Sequence, residues 1–121
     1  MGNLESSSKM VDFKDKSQYF FVAGHCKMVL DLDGPHRNAN ANIWNPHHRP
    51  NQHFRFIKVE KGFLIEGCNG QFLTVEQKVN TLAHFRDRRK EKGPSTQIFE
   101  FRKAIDSSYY IVTAFGFVLG A

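Results

Sequence analysis

Gln52-His53-Phe54-Arg55-Phe56 and Gln97-Ile98-Phe99-Glu100-Phe101 are two versions of one sentence, and together they decide the fold of this chain. Each starts on Gln and carries two Phe spaced two residues apart. In a strand, alternate side chains share a face, so both rings of each segment point the same way, as a half-buried strand requires. The repetition extends outward from there. Phe20-Phe21-Val22 matches Phe63-Leu64-Ile65 and Tyr109-Tyr110-Ile111-Val112. Each is followed by a turn and a second apolar strand, first Met28-Val29-Leu30-Asp31-Leu32, then Gln71-Phe72-Leu73-Thr74-Val75, then Phe117-Val118-Leu119-Gly120. Phe20 to Phe63 and Leu30 to Leu73 are both steps of 43 residues, and Leu73 to Leu119 is a step of 46. A fixed step across several landmarks marks a repeat architecture.

The strands expected from local pattern are 19–23, 28–32, 41–44, 53–59, 62–66, 71–76, 81–86, 97–102, 109–114 and 116–119, set apart by Gly, Asn, Asp and Pro clusters. No window of helical length sustains a 3.6-residue period. Three units of four short strands spell an all-β chain of β-trefoil type, a six-stranded barrel capped by three hairpins, with pseudo-threefold repeats of about 43 residues. Residues 1–9 read as a flexible N-terminus and 10–121 as the trefoil domain. The third repeat is incomplete. Val11-Asp12-Phe13 stands in the 43-residue register of Phe54-Arg55-Phe56, so it is expected to supply that unit's last strand. One hairpin strand remains to be accounted for by degeneracy, by further chain or by a partner such as a second copy in a homodimer.

Bulk properties restrict the function. The 121 residues hold one modest core, with twelve Phe, three Tyr and one Trp supplying much of its volume. The net charge of +5 is spread over both halves. That permits anionic partners without forming a nucleic-acid signature. No apolar segment follows Met1 and no run has transmembrane length, so the expectation is a cytoplasmic protein, membrane-associated or exported by a non-classical route. Nucleophile motifs, phosphate-binding Gly loops and metal-ligand sets are missing, so no enzyme, cofactor or metal is expected. The His47-His48 pair lacks a second ligand pair.

The densest polar cluster lies in the first unit, from Asp31 to Gln52. The run Val29-Leu30-Asp31-Leu32, Asn40-Ala41-Asn42-Ile43-Trp44 and Asn51-Gln52-His53-Phe54-Arg55-Phe56 resembles one complete repeat of the R-type (ricin B-chain-like) lectins. In that family an Asp follows the second strand, an aromatic closes the third, and Asn-Gln-x-Trp opens the fourth. The resemblance covers about residues 17 to 121. It implies a sugar site in which Asp31 accepts hydrogen bonds from adjacent hydroxyls and Trp44 is the stacking platform. Asn51 completes the polar fork, Asn42 stands where the family often has Gln, and Gln52 and Phe54 match Gln-x-Trp. Phe in place of Trp is expected to affect packing. The chemistry is sound without the family: a pyranose has one apolar face and a rim of hydroxyls, so it needs a flat aromatic and a few fixed polar groups.

In the second unit Thr74 stands at the Asp position, Phe85 at the Trp position, and Thr96-Gln97 replaces Asn-Gln. In the third, Gly120 stands at the Asp position. One site, in the first unit, is therefore expected, with galactose or N-acetylgalactosamine-type glycans as ligand by resemblance. The alternative is an intracellular trefoil adaptor that binds a protein or an acidic membrane surface. It draws on the Met1-Gly2-Asn3-Leu4-Glu5-Ser6 opening, which fits N-myristoylation at Gly2 and would give only weak membrane association. It draws also on the basic run Arg86 to Lys92, which otherwise reads as a solvated loop. Cys26 and Cys68 occupy nearly the same point of successive repeats, so pseudo-threefold symmetry places them apart and disfavours a disulfide.

Overall fold

The computed structural model describes residues 18–19, 29–34, 36–47, 49–77, 82–103 and 109–115. The strands are β1 (Gln18–Tyr19), β2 (Val29–Leu32), β3 (Ala41–Trp44), β4 (Phe54–Val59), β5 (Gly62–Glu66), β6 (Phe72–Thr74), β7 (His84–Arg86), β8 (Phe99–Lys103) and β9 (Tyr109–Thr113). A 3-10 turn at Pro50–Gln52 leads into β4. Gly2, Val11, Phe13, Cys26, His48 and Gly120 lie outside the described residues, as does the expected strand 116–119.

The pairing repeats with the sequence. β1 pairs β4 and β5 pairs β8, which joins the first and fourth strands within each of the first two units. β4 pairs β5 and β8 pairs β9, which joins each fourth strand to the first strand of the following unit. All four pairings are antiparallel. The described residues thus supply five of the six strands of a trefoil barrel. The hairpins β2–β3 and β6–β7 form the cap. They meet edge to edge: Ala41 N–H donates to Ala83 O at 3.0 Å and Phe85 N–H to Ala39 O at 2.8 Å.

The alternating Phe face inward as their period dictates. Phe54, Phe56, Phe99 and Phe101 are all buried beside Phe63, Phe85, Leu32, Ile65 and Leu73. Phe56 stacks on Phe101 with ring centroids 4.9 Å apart, which brings the two quoted segments together across the core. Phe54 stacks on Phe85 at 5.8 Å, so it serves packing. Two glycines are required by close approach. Gly62, at φ +152°, lies so near the Phe99 carbonyl that a Cβ would collide with it. At Gly67 a Cβ would sit 2.9 Å from Leu32 Cδ1 and 3.1 Å from Phe85 Cε2, where the first hairpin and the second unit close on the core.

Candidate functional site

Asp31, Asn42 and Trp44 share one face of the first hairpin because of register. Asp31 lies opposite Asn42 and Val29 opposite Trp44, and residues two apart in a strand point the same way. Val29 is buried, whereas Trp44 is 57 % exposed. The 3-10 turn at Pro50–Gln52 then brings Asn51 and Gln52 against Asp31. Asn51 Nδ2 donates to Asp31 Oδ1 at 2.9 Å and to Leu32 O at 3.2 Å. Gln52 Nε2 donates to Asp31 Oδ2 at 2.9 Å and to Asn45 O at 2.9 Å. His47 Nε2 stands 3.6 Å from Asp31 Oδ2. All five site residues expected from sequence therefore fall in one neighbourhood.

Their roles differ from the expected ones. Reading Asp31 from its sequence position, just past an apolar strand, suggests a carboxylate open to solvent; instead Asp31 is only 5 % exposed. An ionised carboxylate has about four acceptor positions, and Asn51 and Gln52 each take one. Fixed donors thereby replace the water that burial removes from the carboxylate. Gln52 is 1 % exposed and presents no surface to a ligand. It is a clamp: besides its two donations, its Oε1 accepts from His47 N–H at 2.9 Å. Both Nδ2 hydrogens of Asn51 are spent, so its Oδ1 is the atom left for a ligand. Asn42 Oδ1 is covered and has no hydrogen-bond partner among the described residues.

The second unit repeats the clamp. Gln97 Nε2 donates to Thr74 Oγ1 at 3.1 Å and to Asp87 O at 2.8 Å, and Gln97 Oε1 accepts from Arg89 N–H at 2.8 Å. Thr74, Asp87 and Arg89 thus stand where Asp31, Asn45 and His47 stand in the first unit. The β6–β7 register sets Phe72 opposite Arg86, Leu73 opposite Phe85 and Thr74 opposite His84. The residue in the place of Trp44 is therefore Arg86, not Phe85 as the apolar pattern suggests. Phe85 points the other way, into the core, and is fully buried. His84 takes the place of Asn42.

Several polar residues at this end carry no signal in sequence. Glu76 accepts a two-pronged contact from Arg89, at 3.0 and 2.8 Å, and lies 2.9 Å from His84 Nε2. The Arg89 guanidinium holds the Glu76 carboxyl below its ordinary range, and the His84 contact adds to this. Arg88 reaches Gln97 Oε1 at 3.2 Å, and Arg86 Nη1 donates to Phe85 O at 2.9 Å and to Asn38 O at 3.2 Å. Glu91 accepts from Thr96 N–H at 2.9 Å and from its hydroxyl at 2.7 Å. The run Arg86 to Lys92 is consequently a bonded turn wrapped round Gln97, with Lys90 and Lys92 exposed. Gln71, fully buried, joins the two hairpins by donating to Asn38 Oδ1 at 3.1 Å and to Asp87 Oδ1 at 3.1 Å. Asn38 is suited to that link because it adopts φ 60°, which Asn tolerates better than most residues. Cys68 is a free thiol. Among the described residues no group of His, Cys, Asp or Glu could hold a metal ion.

No family model matches the chain, and no curated protein matches it. Solved structures do. The chain is similar to a designed 3-fold symmetric protein, ThreeFoil, with a TM-score of 0.72 and 21 % identity over 84 % of this chain and 76 % of that one. It is also similar to a mosquitocidal holotoxin, with a TM-score of 0.72 and 13 % identity over 88 % of this chain. It spans 14 % of the holotoxin's length. Likeness at these identities establishes the fold, an all-β trefoil with pseudo-threefold symmetry.

Proposed function

We propose that the chain is a carbohydrate-binding domain of R-type lectin character, taking one sugar residue of galactose or N-acetylgalactosamine type on the first hairpin. The observation that carries this reading is the placement of Trp44. A Trp 57 % exposed is set by strand register on the same face as a charged acceptor that two amides hold in place. The exposed indole takes the apolar face of the ring. Asp31, with acceptor capacity unspent, takes a hydroxyl at the edge of the indole, and Asn51 Oδ1 takes another. A donor that reaches Asn42 Oδ1 on a small turn of that side chain relieves an unmet hydrogen bond worth about 1 to 3 kcal/mol.

The second hairpin has Arg86 in place of the platform and a buried hydroxyl in place of the carboxylate, which supports a single site of this kind among the described residues. Against the adaptor reading stands the bonding of the basic turn, where Arg89 is engaged by Glu76 and Arg88 by Gln97. A monosaccharide of about a dozen heavy atoms at ~0.3 kcal/mol per atom gives roughly 4 kcal/mol, or about millimolar affinity. The test is a glycan array read with and without free galactose. Galactoside signals that free galactose removes are expected. Silence on the array, with binding to vesicles of anionic lipid, would replace the lectin reading by the adaptor.

A further inference from the structure

A cavity of about 340 Å³ opens beside the first-unit site. Pro50 and His53 form one wall and bracket Asn51 and Gln52 in sequence; Gly67 and Cys68, just after β5, form the other. Arg55 and Glu66 complete the lining and face each other in the β4–β5 register. Their closest contact, Arg55 Nε to Glu66 Oε1, is 3.6 Å, longer than a hydrogen bond, and the Arg55 side chain is 45 % exposed. Apart from Pro50, the lining consists of polar or charged side chains, the Cys68 thiol and glycine backbone.

We propose that this groove is a second saccharide subsite, which takes the sugar residue next to the one stacked on Trp44, so that the domain reads a short oligosaccharide. This rests on the glycan-binding reading above and goes beyond it by naming where the second ring sits. Every sugar hydroxyl both donates and accepts. The Arg55 guanidinium offers donors alone and the Glu66 carboxylate acceptors alone. That mixture suits a neutral hydroxyl-rich ring, whereas Glu66 repels an anionic one. The volume lies at the lower end of small-molecule sites, about 300 to 1,000 Å³, which fits one ring rather than a long chain.

The groove adjoins the first site: Pro50 and His53 flank Asn51 and Gln52 in sequence, and Gly67 packs closely on Leu32, the residue after Asp31. Burial raises the pKa of the Cys68 thiol, a backbone hydrogen bond offsets part of that, and the Asp31 charge adds a smaller upward push. Asn51 links the two in sequence, its amide held on Asp31 and its backbone carried in the Pro50–Gln52 turn that supplies Pro50 to the groove. A ring linked covalently to the first arrives at high effective concentration, so modest contacts suffice.

The experiment compares methyl β-galactoside with lactose, N-acetyllactosamine and their α-galactosyl-extended trisaccharides by calorimetry, on the parent and on Arg55→Ala and Arg55→Lys. In parallel, N-ethylmaleimide labelling of Cys68 is followed by peptide mass spectrometry. At least one di- or trisaccharide is expected to bind tenfold or more tighter than methyl β-galactoside. That ratio should fall toward one in Arg55→Ala, and the tight-binding saccharide should slow Cys68 labelling where saturating methyl β-galactoside does not. An unchanged ratio in both variants, or unprotected Cys68 under saturating oligosaccharide, overturns the subsite and leaves the Trp44 site standing. If the parent binds none of these sugars, the glycan reading itself fails and the subsite goes with it.

Discussion

Gln52 donates from Nε2 to Asp31 Oδ2 at 2.9 Å, with both residues buried. The same amide bonds Asn45 O and His47 N–H, so a single side chain ties the second strand, the loop after the third and the entry to the fourth. Gln97 makes the equivalent three contacts in its own unit, with Thr74 hydroxyl replacing the carboxylate. The clamp is therefore common to both units, and the charge is what sets the first apart.

Asp31 accordingly has a structural duty that its sequence position conceals. Asp31→Ala would leave one hydrogen of Asn51 Nδ2 and one of Gln52 Nε2 without an acceptor. Each such loss costs about 1 to 3 kcal/mol, so a destabilisation of about 2 to 6 kcal/mol is expected, with a drop in Tm on the order of 10 °C. Urea titration of the parent, Asp31→Ala and Asp31→Asn measures this. The Asn variant keeps one acceptor and should recover part of the loss. A variant as stable as the parent would mean that the network contributes nothing.

Trp44→Ala is the cleaner probe of binding. The indole is 57 % exposed, and substitutions at such surfaces usually change stability by within about 0.5 kcal/mol. Galactoside binding should vanish in calorimetry while the denaturation curve stays put, and Trp44→Phe should retain a weaker signal. Full binding by Trp44→Ala would remove the platform from the site.

Much of this was legible because side-chain period and strand register follow simple geometry. The paired Phe of the two Gln-x-Phe-x-Phe segments and the 43-residue step specify a barrel, and Ala41–Trp44 and Gly62–Glu66 form strands at the expected bounds. The neighbourhood of Asp31, Asn42, Trp44, Asn51 and Gln52 was legible too. Orientation was not. Whether Phe85 or Arg86 matches Trp44 depends on a one-residue difference in loop length, and a one-residue slip exchanges the faces of a strand. The burial of Asp31 depends on the Pro50–Gln52 turn folding back over it, a contact between residues about twenty apart that has no local pattern. The Glu76–Arg89 pair and the Gln71 link between hairpins are likewise products of the cap's assembly.

Thr74 provides a test of the second clamp. Its hydroxyl accepts from Gln97 and donates to Phe72 O at 2.9 Å, in a fully buried position. The sequence alone suggests that Thr74→Ala is silent, since a neutral side chain offers no charged acceptor to a sugar. The structure instead gives a loss of about 1 to 3 kcal/mol from an unsatisfied Gln97 amide hydrogen, with galactoside affinity unchanged. Thr74→Ser should restore most of it in the same urea titration.

The pair of Glu76 with Arg89 makes stability depend on pH in a defined direction. Arg89 lowers the folded-state pKa of Glu76, with His84 contributing. Unfolded, a Glu titrates near ~4.3. The unfolded state therefore binds the proton more readily, and the stabilisation is complete above that value and is lost as pH falls through the lower folded pKa. Partial exposure of both partners, 33 % for Arg89 and 29 % for Glu76, keeps the effect to about 1 kcal/mol or less. Glu76→Gln preserves the shape and removes the charge, so the parent should exceed it at pH 7 and the gap should narrow progressively as pH falls below the ordinary carboxylate range. Asp87, also held below its ordinary range by Gln71 and Arg37, titrates in both proteins and cancels in the difference. Urea midpoints at half-unit pH intervals check this, and a parent-to-variant gap that is flat or widens toward acid would show that the Arg89 contact does not stabilise the fold.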